Sequence, residues 1–283
     1  MIETVQQAQA LAAQARRADT ACGPGRLVWH VWGDAGRPPL LLLHGGSGSW
    51  THWVRNIAPL VAAGWQVLVP DMPGFGESAA PPDGEDADVL PGWLEAGLQA
   101  LIGANPLPAV GFSLGALVAG LWTQQAPARI SRLVLVGSPA LSADRLAPLD
   151  LRRWDKTPAG PARDALHRHN LLQLMLARPA SATPLAVALH GANVERDRLR
   201  RRRLMLTDVL AQALPAITCP VHGLWGCEDA LYRHRLGVIA PVLARAPRFG
   251  RLVLLPQAGH WVAFEAAQQV NTALAELLGP PGA

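Results

Sequence analysis

The stretch that most limits what this chain can fold into is Pro108-Ala-Val-Gly111-Phe-Ser113-Leu-Gly115-Ala-Leu-Val-Ala119. A short apolar run enters Gly-X-Ser-X-Gly, and small and apolar residues at helical spacing leave it. The pattern predicts a strand, a very tight turn and a helix, with Ser113 at the apex. Glycine is needed on both sides because a side chain at Gly111 or Gly115 would strike the neighbouring backbone. The turn lifts the hydroxyl out of the sheet and sets it near a helix N-terminus, where peptide N–H groups face any oxyanion formed on attack. A plain turn before a core helix gives a similar pattern, so the neighbours of this motif decide between the two.

Those neighbours alternate strands with helices. Leu40-Leu-Leu-Leu43 is a continuous apolar run of the kind a strand buried on both faces requires, and His44-Gly-Gly-Ser-Gly-Ser-Trp50 follows at once. Trp65-Gln-Val-Leu-Val69 leads into the proline- and glycine-rich turn Pro70 to Ser78, residues 79–88 read as a surface loop, and Val89 to Gly103 as a helix. Ile130 to Val136, Pro220 to Trp225 and Arg251 to Leu255 are further strands, and Phe264 to Leu278 is a closing helix. Near the N-terminus, Ile2 to Arg17 has helical spacing, Gly23-Pro-Gly25 ends it, and Arg26 to Trp32 alternates like an edge strand. This order predicts an α/β fold built on a doubly wound, mostly parallel sheet. Between about Leu141 and Leu214 the strand pattern lapses into helical segments rich in arginine and proline.

Two of the strands end in polar residues, Gly226-Cys-Glu-Asp229 and Pro-Gln-Ala-Gly-His260-Trp261, at the sheet edge where open α/β sheets place their sites. A serine needs a base within hydrogen-bond reach, and that base needs an orienting acceptor. His260 stands out among nine histidines by its setting directly after the last strand.

Taken together, the glycine-flanked serine, the His-Gly-Gly loop before it and the acid and histidine after it resemble the α/β-hydrolase family over most of the chain. The resemblance implies an α/β-hydrolase fold with a core of residues 1–140 and 215–283 and a helical cap insertion of residues 141–214. It implies Ser113 as nucleophile, His260 as base and Asp229 as its acid, with Glu228 the rival acid. Oxyanion-hole N–H groups would come from Gly46 and Leu114. Asp71, which precedes the serine, would hold a loop. The Asp71-Met-Pro-Gly-Phe-Gly-Glu-Ser78 stretch, the His-Gly-Gly loop with Trp50, and Trp261 are similar to the subgroup that hydrolyses carbon–carbon bonds of aromatic ring-fission products. That likeness names Gly45, His52 and Trp261 as substrate-binding residues and points to one of Arg200 to Arg203 as a clamp for a substrate carboxylate. The chain departs from the subgroup at Ser47, Gly48 and His52, where a proline and an asparagine would be expected.

The leading expectation is a serine hydrolase of small carboxylic esters or related acyl compounds. The alternatives are a carbon–carbon hydrolase, a cofactor-free haloperoxidase-like enzyme, and a non-catalytic small-molecule binder on the same fold. No cofactor and no metal is called for. The net charge of +4 comes from arginine without interleaved stacking aromatics, which argues against nucleic acid as a partner. Three cysteines are too few and too unevenly spaced for a disulfide framework. No apolar run is long enough to span a bilayer and no secretory pattern opens the chain, so a cytoplasmic protein is expected, with a homodimer left open.

Overall fold

In the computed structural model, residues 1–143, 148–199 and 201–282 are described. Eight strands form one sheet: β1 (Arg16–Cys22), β2 (Gly25–Trp32), β3 (Pro39–Leu43), β4 (Gln66–Pro70), β5 (Leu107–Phe112), β6 (Ile130–Val136), β7 (Val221–Gly226) and β8 (Phe249–Leu255). Their order is β1-β2-β4-β3-β5-β6-β7-β8. The first two pairings, β1 with β2 and β2 with β4, are antiparallel, and the five that follow are parallel.

The four-leucine run explains why the sheet has a layer on each side. Successive side chains of a strand point to opposite faces. Leu41 and Leu43 join Leu114, Leu117 and Trp122 in one apolar cluster, while Leu40 and Leu42 join Trp53, Ile57 and Leu274 in the other. All four leucines are fully buried, and each contributes about 2 kcal/mol relative to exposure. Helices α1 (Val5–Ala13), α2 (Ile57–Ala62), α3 (Leu90–Ile102) and α4 (Leu114–Gln125) come before β6 in the chain. The closing helical region breaks at Ala266, giving Val262–Glu265 and Ala267–Leu278 in place of one continuous helix.

The N-terminal region departs from the helix and edge strand expected of it. Helix α1 opens on a capping box between Thr4 and Gln7 but stops at Ala13, and Arg16–Cys22 turns back as β1 in a hairpin with β2. Arg26 to Trp32 is therefore an inner strand. Its outer neighbour β1 is mostly exposed, with Arg17 paired to Asp19 and Glu77, which gives the sheet a charged edge that discourages pairing with another chain.

Between β6 and β7 no strand occurs among the described residues. Helix α5 (Pro161–Asn170) runs on through a π-helical turn, Leu171–Met175, and is followed by α6 (Pro184–Glu195). These elements face the C-terminal ends of the parallel strands across a cavity, where the loops after β3, β5, β7 and β8 converge.

Candidate active site

The turn after β5 carries its serine in a conformation that side-chain-bearing residues rarely adopt: Ser113 has φ 51°. Two glycines make this possible. A Cβ at Gly111 would lie 2.4 Å from the Gly115 carbonyl oxygen, and one at Gly115 would lie 2.5 Å from the carbonyl oxygens of both Leu43 and His44. The obstacles are backbone atoms, so no rotamer change could relieve them. The Ser113 N–H donates to Val136 O on β6 (2.8 Å), tying the apex to the sheet.

Asp229 and His260 reach the serine from the ends of β7 and β8. The His260 Nε2 is 2.9 Å from Ser113 Oγ, and its Nδ1 is 2.9 Å from Asp229 Oδ2. The other carboxylate oxygen accepts the Leu231 N–H at 2.9 Å. A carboxylate accepts only, so Nδ1 carries the ring proton and the Nε2 lone pair faces the hydroxyl. Asp229 is fully buried and His260 nearly so, whereas the rival Glu228 is exposed and turned away. A buried glutamate absent from the sequence reading holds the histidine loop: Glu265 accepts the N–H groups of Gly259 (2.7 Å), Ala177 (2.9 Å) and Arg178 (2.8 Å).

The loop after β3 wraps the other side of the serine. A Cβ at Gly45 would come within 3.1 Å of the Ser113 Cβ, so glycine there lets the backbone approach that serine. The Gly45 N–H donates to His52 Nδ1 (3.1 Å), which places the His52 proton on Nε2. His44 braces the same loop, donating from Nδ1 to Gly45 O (2.8 Å) and accepting the Met72 N–H at Nε2 (2.9 Å). Burial pushes the pKa of both histidines down, that of His52 well down. Gly46 lines the cavity beside Ser113. Leu114 opens α4, where a helix N–H has no intrahelical acceptor. Asp71 lies away from the His260–Ser113 pair and accepts the N–H groups of Trp50 (3.0 Å) and Glu77 (2.9 Å), with His30 Nε2 at 3.5 Å. Burial works to raise its pKa, but His30, His44 and the Glu77 N–H outweigh that and leave it lowered.

Ser113 and His260 open on a cavity of ≈ 250 Å³. Its far wall comes from the segment between β6 and β7: Leu151, Trp154, Leu174, Met175 and Val194 are apolar, and His190 and Asn170 are polar. None of these belongs to a motif, and sequence reasoning missed them. Burial, reinforced by neighbouring His167, pushes His190 down to about 4. Of Arg200 to Arg203, among which one was expected to face the substrate, Arg202 reaches the cavity, its guanidinium carbon 5.5 Å from the Phe75 ring centroid. Arg201 pairs outward with Glu85, Arg203 is exposed, and Arg200 lies outside the described residues. His52 lines the cavity, but Trp261 sits behind it, stacked on Phe264 at 4.3 Å and donating from Nε1 to His52 O at 2.9 Å. Trp261 therefore bears on the cavity through His52, in place of the contact position expected.

A family model described as alpha/beta hydrolase fold matches residues 38–187, more than half of the chain. The chain belongs to the α/β-hydrolase family. Among its curated α/β-hydrolase relatives is a 2-hydroxy-6-oxo-6-phenylhexa-2,4-dienoate hydrolase of Burkholderia cepacia, 27% identical over 84% of this chain and 87% of the relative. A dihydrolipoyllysine-residue acetyltransferase component of the acetoin cleaving system of Pseudomonas putida is 32% identical over 90% of this chain and 69% of that one. Among solved structures, carboxylesterase CesB of Bacillus subtilis superposes with TM-score 0.78 at 20% identity, covering 96% of this chain and 95% of its own, a likeness of fold. Among the described residues of this α/β-hydrolase, no cluster of three or more His, Cys, Asp or Glu side chains is arranged to hold a metal, and no helix is long and apolar enough to cross a membrane.

Proposed function

We propose that this α/β-hydrolase is a serine esterase that cleaves small carboxylic esters or related acyl compounds through an acyl-enzyme on Ser113. The observation that carries the reading is the unbroken line from Asp229 Oδ2 through both nitrogens of His260 to Ser113 Oγ, with the hydroxyl open to the cavity. His260 takes the Ser113 proton as the oxygen attacks the acyl carbon, and buried Asp229 stabilises the imidazolium that forms. The N–H groups of Gly46 and Leu114 receive the oxyanion. His260 then gives its proton to the leaving alcohol, and in the second half draws a proton from the water that releases the acid. Residues 141–214 serve as a cap that excludes water and selects the substrate, and residues 1–140 and 215–283 carry the chemistry. A cavity of ≈ 250 Å³ lies at the small end of ligand pockets, which suits a short acyl group. All three cysteines are free thiols, which supports a reducing, cytoplasmic setting.

A second reading, hydrolysis of a carbon–carbon bond in a ring-fission product, is favoured by the dienoate hydrolases among the relatives and by Arg202 in the cavity wall as the guanidinium for a substrate carboxylate. The test is labelling of Ser113 by an active-site phosphonate, followed by turnover of a panel of short p-nitrophenyl esters and a ring-fission dienoate. Ester turnover lost in Ser113→Ala supports the first reading, and faster turnover of the dienoate supports the second. Labelling without turnover of either would make the chain a binder and refute both.

A further inference from the structure

We infer that Asp197 is a positioning residue that couples seating of the overlying segment to assembly of the oxyanion hole, by holding Ser47 in a backbone conformation it would otherwise leave. The inference rests on the proposed role of Gly46 as an oxyanion donor.

Ser47 follows Gly46 directly and has φ 49°, in the left-handed region that non-glycine residues occupy only when their surroundings impose it. The peptide joining these two residues turns with that angle, so the conformation of Ser47 helps set where the end of the glycine loop points. Upstream the loop is fixed from within the core, because the Gly45 N–H is bound to His52. Downstream the fixing partners come from about 150 residues away in the chain. The Ser47 hydroxyl donates to Asp197 Oδ2 at 2.5 Å and accepts from Arg202 Nη1 at 3.1 Å. Asp197 is itself held, with Oδ1 accepting the Leu199 N–H at 3.2 Å and Oδ2 paired to Arg202 Nη2. The side chain is mostly buried, so water competes little for these bonds.

The neighbouring residues anchor the same segment to the loop after β4. The Arg198 N–H donates to Gly74 O at 2.7 Å, and its guanidinium donates to the carbonyls of Gly76 (2.9 Å) and Ser78 (2.5 Å). Asp197 and Arg198 thus grip two core loops at once. With the segment lifted, Ser47 would lose both side-chain partners and relax toward negative φ, leaving the Gly46 backbone anchored only from its upstream side and less firmly set at the hole. With the segment seated, the hole is complete. Chemistry is thereby confined to the closed enzyme, where water is excluded.

The test compares the parent with Asp197→Asn, Asp197→Ala and Asp197→Ala/Ser47→Gly, reading kcat and KM on p-nitrophenyl butyrate, the Ki of a trifluoromethyl ketone, the rate of phosphonate labelling, and Tm. Expected for Asp197→Ala are a fall in kcat of tenfold or more, a KM within threefold, and weakening of the ketone by the same factor as kcat. Added Ser47→Gly should recover part of kcat, since glycine accepts φ 49° without strain. A kcat, ketone affinity and labelling rate within twofold of the parent would overturn the inference, as would a loss that appears only in Tm or only in KM. A parent that neither turns over ester nor reacts with the phosphonate refutes the underlying role of Ser113 and the inference with it.

Discussion

Replacing Asp229 by asparagine should cost far more activity than its near-isosteric shape suggests, and the structure shows why. The amide has one acceptor and one donor end, and the surroundings choose which way it lies. Asp229 Oδ1 accepts the Leu231 N–H at 2.9 Å, so the asparagine keeps its carbonyl oxygen there; turned round, it would set an NH2 against that N–H and leave a buried donor unsatisfied, at about 1–3 kcal/mol. The NH2 then points at His260 Nδ1, where the carboxylate oxygen stood at 2.9 Å. A ring nitrogen facing a donor must offer its lone pair, which moves the imidazole proton to Nε2. That nitrogen, 2.9 Å from Ser113 Oγ, becomes a donor where a base is required. Losing a positioned base and its stabilising carboxylate costs roughly 10³–10⁴ in rate, or about 4–5.5 kcal/mol of barrier. Steady-state kcat on p-nitrophenyl butyrate, with Tm alongside, measures this. Tm should stay within a few degrees of the parent, because shape is kept and a buried charge is removed. Exposed Glu228 gives the matched control, with Glu228→Gln expected within twofold of the parent. An Asp229→Asn enzyme retaining more than a tenth of kcat, or a larger loss from Glu228→Gln, would refute the assignment.

Gly115→Ala places a methyl group 2.5 Å from two backbone oxygens and should force α4 away from β3, at about 3 kcal/mol or roughly 6–10 °C in Tm, with kcat falling as well; an unchanged Tm would contradict the contact. The pH dependence of stability follows from His190. Its folded-state pKa is about 4 against an ordinary 6.5, so its contribution is complete above about pH 6.5 and is lost as pH falls toward 4. Between pH 7 and 5 the parent should lose about 2 kcal/mol more than His190→Gln in urea unfolding, and equal losses in the two proteins would show that His190 is not held neutral.

Legibility in the sequence followed locality. Ser113, His260 and Asp229 each sit in a few residues that turn the chain at the end of a strand, so the sequence pattern and the turn geometry describe the same atoms. The backbone clashes at Gly111 and Gly115 are contacts of this kind. The strand β1 was hidden because Arg-Arg-Ala-Asp-Thr-Ala-Cys alternates too weakly to be told from a helix tail, and only pairing with β2 identifies it. Trp154, His190 and Asp197 escaped for a different reason. They meet the serine and the glycine loop only through tertiary packing across dozens of intervening residues, and no spacing rule reports such a meeting. Trp261 shows the converse, a residue whose neighbour in sequence is at the site while its ring is turned into the core.

The buried carboxylate of Glu265 has a consequence for how this protein can change over time. It accepts three backbone N–H groups, two of them at Ala177 and Arg178 in the overlying segment and one at Gly259 beside the histidine, and the Arg178 guanidinium adds a longer contact from Nε at 3.5 Å. Main-chain donors are present whatever side chain a position carries, proline excepted. Position 177 is thus free to vary while the attachment persists, and a change at 178 would give up the guanidinium contacts to Glu265 but keep the main-chain bond, so a lineage could remodel the overlying segment without releasing the loop that carries His260.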